Sequence, residues 1–301
     1  MKLATTTGDF FRYGYNDEES ISAIVEAGFK YIDYSFSYDF HNRKGLLGDN
    51  WQEFANKLLD MSQKLSFKFV QAHAPLGRPL EFNEKHDQFI ADTKRSIEAA
   101  AYLGIPNIVV HSGYLDFLTR EETFEQNVVF YNDILNFAEQ FDINILTENF
   151  DKMCNKNCYW FDNAADVKEL VERVNHPRFK VCWDAGHGNL QDMPQHEALR
   201  LLGESVYGLH IQDNVGVTDD HMIPFFGSLN FDSIMHGLKD INYQGYFTFE
   251  SDGTPLATYR RKKFPEDERC MDFPVDIRKK LEVVLYDIGK FILTKYDCFE
   301  E

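Results

Sequence analysis

The chain has 301 residues, 44% of them hydrophobic, which is enough to bury a large core in one α/β barrel or in two smaller domains. Its formal net charge is −18, and a surface of that sign repels phosphate backbones, so nucleic acid is a poor default partner. Five cysteines stand at irregular spacing (154, 158, 182, 270, 298), which fits neither a disulfide framework nor a zinc module, and the first twenty residues carry no apolar signal core. Reduced thiols and the lack of any apolar run long enough to cross a bilayer lead us to expect a cytoplasmic protein that makes no membrane contact.

Short runs rich in β-branched and aromatic residues alternate with longer segments of helical period. The first run (2–7) precedes a helical segment at 20–28, and the second (29–35) precedes one at 51–65. Runs at 66–73, 107–113 and 143–149 are followed by helical segments at 86–104, 121–141 and 163–174. The last three runs, 179–185, 206–213 and 245–251, are followed by segments at 197–203, 231–241 and 276–293. Gly28, Gly104 and Gly203 stand where helices end. Strand–helix alternation of this kind predicts a parallel sheet with crossover helices. A doubly wound open sheet would carry a glycine-rich phosphate loop after its first strand, and none is present. The expected fold is therefore an α/β (β/α)8 TIM barrel, a single domain over 1–301 with a C-terminal helical extension after strand eight. Residues 252–275 read as a long loop carrying the one basic cluster, Arg260, Arg261, Lys262 and Lys263. Such a cluster is either a solvated face or a lid that meets an anionic substrate.

In such barrels chemistry gathers where strands end. Strand three ends in His73, strand four in His111, strand five in Glu148, and strand six in Asp184 with His187 just beyond. Strand seven reaches His210, the loop after it carries Asp219 and His221, and strand eight ends in Glu250. Taken singly, a histidine there satisfies a core hydrogen bond and a carboxylate caps a helix or pairs with a base. Repetition at six consecutive strand ends points to one ring of ligands. Its carboxylates would repel one another in a pocket of low dielectric unless a divalent cation lay between them. Mixed oxygen and nitrogen donors suit Mn, Zn, Co or Fe better than Ca. Phe36, Tyr38, Trp51, Tyr114, Phe150, Trp160 and Phe225 lie in or near the loops above this ring and are candidates for a pocket wall. Asp33 on strand two faces either the pocket or an ion-pair partner.

The C-terminal segments HIQDN, DDHMIPFFG, LNF and GYFTFES together resemble the signature of the xylose isomerase-like TIM barrel superfamily, the sugar phosphate isomerases and epimerases that share their fold with the endonuclease IV family. The resemblance covers strands three to eight well and the first two units loosely. It implies one divalent metal ion (Mn, Mg, Co or Zn) on Glu148, Asp184, His210 and Glu250. Glu148 and Glu250 would then be the catalytic pair, exchanging protons with adjacent carbons of a small carbohydrate through a metal-stabilised enediolate, and His187 would contact a substrate oxygen. In the endonuclease branch His73, His111, His187, Asp219 and His221 would join these four around up to three Zn ions. Two features depart from the pattern: no arginine follows His210 as in ketose 3-epimerases, and Gln212 stands where many members have lysine. The expected activity is a metal-dependent isomerase or epimerase of a sugar, sugar phosphate or polyol-derived substrate. An inosose-type dehydratase, a multi-zinc phosphodiesterase and a non-catalytic binding barrel are the alternatives, and a homo-oligomer is compatible with each.

Overall fold

The computed structural model describes residues 1–151, 159–251 and 273–301. The basic cluster Arg260–Lys263, together with Cys154, Cys158 and Cys270, lies outside the described residues. Eight parallel strands are present: β1 Lys2–Thr6, β2 Tyr31–Ser35, β3 Lys68–His73, β4 Asn107–Val109, β5 Asn144–Glu148, β6 Phe179–Asp184, β7 Val206–His210 and β8 Tyr246–Phe249. They form one sheet in the order β7-β6-β5-β4-β3-β2-β1-β8. Its two edges meet: Ile211 N–H donates to the Thr248 carbonyl at 2.8 Å and Glu250 N–H to the Ile211 carbonyl at 3.1 Å. The sheet is thereby nearly closed into a barrel.

Among the described residues, seven crossover helices and a C-terminal one surround it: α1 Asp17–Glu26, α2 Trp51–Leu65, α3 His86–Tyr102, α4 Arg120–Ala138, α5 Ala164–Val174, α6 Gln195–Leu202, α7 Phe231–Asp240 and, after the last strand, α8 Val275–Lys295. Local chemistry sets their starts. Asn16 with Glu19, and Thr119 with Glu122, form reciprocal capping boxes on α1 and α4, while Asn163 and Asn230 cap α5 and α7. Gly28 (φ 111°) and Gly104 (φ 74°) follow the ends of α1 and α3 in the left-handed region that their sequence position suggested. Against expectation, the fourth strand ends at Val109 instead of running to 113, with one last bond to β5 from Val110 N–H to the Leu146 carbonyl at 2.8 Å. The reason is local: the Val110 carbonyl accepts the Tyr131 hydroxyl of α4 at 2.7 Å, and Gly113 N–H donates to the Asn127 side chain at 2.7 Å. No helix among the described residues is long and apolar enough to cross a membrane.

Two irregularities position the site. Between β2 and β3 the register jumps, so Ile32 pairs with Phe69 but Asp33 with Gln71. Between β6 and β7, Val181 pairs with Val206 but Cys182 with Gly208, which brings Asp184 level with His210. Each bulge inserts one residue on the later strand and re-aims the side chains beyond it. The apolar core splits accordingly. Most of it lies between sheet and helices, while Val109, Leu146 and Cys182 form a small separate cluster. Successive inward positions alternate by two, so Leu146 and Cys182 lie one inward step below Glu148 and Asp184.

Candidate metal centre

The strand-end residues converge. One donor atom from each of Glu148, Asp184, His210 and Glu250 lies within 4.8 Å of the others, and the same holds for His73 with His111 and Glu148, and for His187 with Asp219 and His221. The three groups contain all nine residues read from the sequence, and Glu148 belongs to two of them. Glu148 Oε1 is 3.0 Å from His210 Nδ1, and Glu250 Oε2 is 3.3 Å from the same nitrogen. Glu148 Oε2 is 2.9 Å from His111 Nε2, which itself lies 3.0 Å from His73 Nε2.

Backbone and amide groups fix these side chains. His73 Nδ1–H donates to the Ala74 carbonyl, His187 Nδ1–H to the Asn149 carbonyl, and His221 Nδ1–H to the Glu250 carbonyl, at 2.8, 2.8 and 2.9 Å. Each of the three therefore turns Nε2 inward, the arrangement that holds a ligating imidazole in one tautomer. Asp184 is pinned from its own backbone: its N–H donates to Asn149 Oδ1 at 2.8 Å and its carbonyl accepts Asn149 Nδ2–H at 2.9 Å. Its Oδ1 accepts His187 N–H at 2.6 Å, while its buried Oδ2 has no hydrogen-bond partner among the described residues.

The inner members Glu148, Asp184, His187 and His210 are deeply buried. Burial alone would raise the Glu148 carboxyl, but His210 and His111 overcome it and hold it well below the usual carboxylate range. Asp184 goes the other way: burial, then the neighbouring carboxylates Glu148, Glu250 and Asp219, push it up to about 7 against the pull of His187. His187 loses by burial and gains more from Asp184 and Asp219, reaching about 10. His111 is lowered, by burial. Cys182, beneath the ring, has its thiol pushed up to about 12 by burial and so stays neutral.

The residues fit a divalent cation. Two imidazole nitrogens and a carboxylate oxygen crowd one point at His73, His111 and Glu148. At the quartet, three carboxylates and an imidazole converge, and one carboxylate oxygen, Asp184 Oδ2, has no partner among the described residues. Burying that oxygen without a partner costs free energy that a cation would remove.

Gln71 and Asn149 escaped the sequence reading, which noted Gln212 only as a departure from the family pattern and left Asp33 open between pocket and ion pair. Gln212 reaches between two groups, its Nε2–H donating to Asp219 Oδ1 at 2.7 Å and lying 3.4 Å from Asp184 Oδ1. Asn149, Asp33 and Gln71 lie just outside the ring. Beside His111 a cavity of about 190 Å³ is lined by Tyr114, Phe150, Tyr159 and Arg78 among others. Phe150 packs its ring 4.9 Å from both His111 and His187. Trp51, by contrast, begins α2 and packs on Tyr102, and Phe36 is wholly buried against Tyr34, so neither faces this cavity.

Comparison with known proteins agrees with this architecture. An uncharacterized protein of Methanocaldococcus jannaschii is 26% identical over 233 residues, 75% of this chain and 78% of the relative. The 2-oxo-tetronate isomerase of Haemophilus influenzae is 26% identical, over 76% of this chain and 84% of the relative. The structure of D-psicose 3-epimerase with D-tagatose from Clostridium cellulolyticum H10 superposes with a TM-score of 0.75 at 15% identity, covering 97% and 99% of the two chains. The profile described as "Xylose isomerase-like TIM barrel" matches residues 21–269, and the chain belongs to that family.

Proposed function

We propose that the protein is a metal-dependent isomerase or epimerase of a small keto-sugar or sugar acid. The observation that carries this reading is the placement of two carboxylates, Glu148 from β5 and Glu250 just past β8, 3.0 and 3.3 Å from the same His210 nitrogen. A substrate carbon beside that point lies between them, so one glutamate takes a proton and the other returns one. A divalent cation held by Glu148, Asp184, His210 and Glu250 would draw the developing negative charge of the substrate onto itself and lower the cost of removing an α-proton. His187, whose Nδ1–H is tied to the Asn149 carbonyl at 2.8 Å, presents Nε2 toward a substrate hydroxyl. Tyr114 and Phe150 offer aromatic faces to C–H groups, and Arg78 offers donors at the same wall. The relatives named for sugar isomerisation and epimerisation support this class of reaction.

The test is solvent exchange. In D2O, with Mn or Co supplied, the protein is expected to place deuterium α to the carbonyl of a tetrulose, pentulose or hexulose, read by proton NMR. Glu148→Gln and Glu250→Gln should each lower that exchange about 10²–10⁴-fold. Exchange that persists at the wild-type rate in both variants sinks the glutamate-pair mechanism. A second reading, a multi-zinc phosphodiesterase, is favoured by one observation: all nine donors fall into three groups, two of which share Glu148. Two or three Zn per chain together with incision of an abasic-site duplex would establish it. The net charge of −18 opposes it.

A further inference from the structure

His210 differs from the other fixed histidines of the site. His73, His187 and His221 each give their outer nitrogen to a backbone carbonyl. His210 gives Nε2 to a carboxylate: Asp33 Oδ2 lies 3.1 Å away, and both side chains are buried to about 1% exposure. Asp33 is itself held, since Gln71 Nε2–H donates to the same Oδ2 at 2.8 Å. The β2–β3 bulge creates this contact by setting Asp33 beside Gln71 rather than Val70. Gly208, on the strand that carries His210, leaves the room: a Cβ there would stand 2.5 Å from Gln71 Oε1. A bulge, a glycine, an amide and a carboxylate are thus spent on one imidazole face that points away from the reaction centre.

We propose that Asp33 is a positioning residue that fixes His210 with its proton on Nε2 and so leaves Nδ1, 3.0 Å from Glu148 and 3.3 Å from Glu250, as the nitrogen that holds the cation. This inference rests on the metal reading above and deepens it. A carboxylate behind a ligating imidazole does two things. It selects the tautomer, and it makes the inward nitrogen a stronger donor than a carbonyl partner would. His210 would then be the most strongly donating of the imidazoles fixed in this way. Gln71 keeps the Asp33 carboxylate from rotating toward another partner.

Zinc alone is the probe, added to the chelated full-length protein. By calorimetry, Asp33→Asn is expected to weaken the tightest Zn site about 10–100-fold. Gln71→Met should weaken it in the same direction by less, and it serves if Asp33→Asn does not fold. In long-range ¹H–¹⁵N spectra of the Zn-loaded wild type, His210 should carry its proton on Nε2 and bind through Nδ1. In Asp33→Asn that signature should broaden or mix with the other tautomer, a change that loss of packing alone would not bring. Wild-type affinity within twofold in a folded variant, with the His210 signature unchanged, overturns the role of Asp33. A wild type that takes up no zinc instead removes the metal reading, and the Asp33 inference falls with it.

Discussion

Gly186 has no side chain because Gln212 occupies the space one would need. A Cβ at Gly186 would lie 2.0 Å from Gln212 Cδ, far inside contact distance. The displaced amide is the one that donates to Asp219 and approaches Asp184. Gly186→Ala is therefore expected to cost about 1–3 kcal/mol of stability by overpacking. It should also weaken metal binding about tenfold or more by loosening the partners of two candidate ligands, Asp184 and Asp219. Denaturant melts and calorimetry on the same sample separate the two effects, and unchanged affinity in a folded variant would mean that Gln212 holds neither carboxylate. The sequence made the donor atoms readable because histidine and carboxylate at a strand end are conspicuous against an apolar run. It did not make Gln212, Gln71 or Asn149 readable, since neutral amides are ordinary anywhere and acquire a role only from what they face.

At the scale of elements, helix ends and most strand limits were legible from capping residues and periodicity, as with Asn16, Thr119 and Asn163. The two bulges were not, because alternation in one strand carries no information on its partner's register. A further element-level contact was equally hidden. Asp17, the first residue of α1, and Asp39, in the short helix Ser37–Asn42, are both buried near Tyr34, whose hydroxyl donates to Asp39 Oδ2 at 2.8 Å. Burial and then Asp39 raise Asp17 well above the carboxylate range, and burial pushes Asp39 up to about 6. Folded-state values raised above the unfolded ones favour the folded state at low pH, and that advantage is lost as pH rises through about 6 and beyond. Asp17→Asn imitates the protonated acid. Its melting temperature should exceed that of the wild type at pH 8 and converge with it below about pH 4, with a gap growing by at most about 1.4 kcal/mol per pH unit. A variant less stable than the wild type at pH 8 would show that the Asp17 carboxylate is paired rather than strained.

For the whole molecule, the barrel gathers at one end four carboxylates that a chain of net charge −18 has little general means to neutralise. The histidines offset part of this, and Asp184 is crowded by Glu148, Glu250 and Asp219, with one oxygen unpartnered among the described residues. A cation that binds only the folded state adds stability by mass action, about 2.7 kcal/mol at one hundred times its dissociation constant. Wild-type protein is therefore expected to melt several degrees higher with saturating Mn, Co or Zn than after chelation. Asp184→Asn removes a crowded charge and one candidate ligand together. In the chelated state it should be at least as stable as the wild type, and the gain from the first equivalent of metal should vanish. That crossing distinguishes a ligand from a structural carboxylate, because a carboxylate that stabilises the barrel by itself would lower the chelated melting temperature when replaced. Asp219→Asn supplies the contrast. Among the three groups it belongs only to that of His187 and His221, so it should leave the first equivalent of metal stabilisation in place and remove a later one. If a single equivalent is all the wild type ever shows, Asp219→Asn should leave the whole gain intact, and the outer histidines then serve the substrate rather than further metal ions.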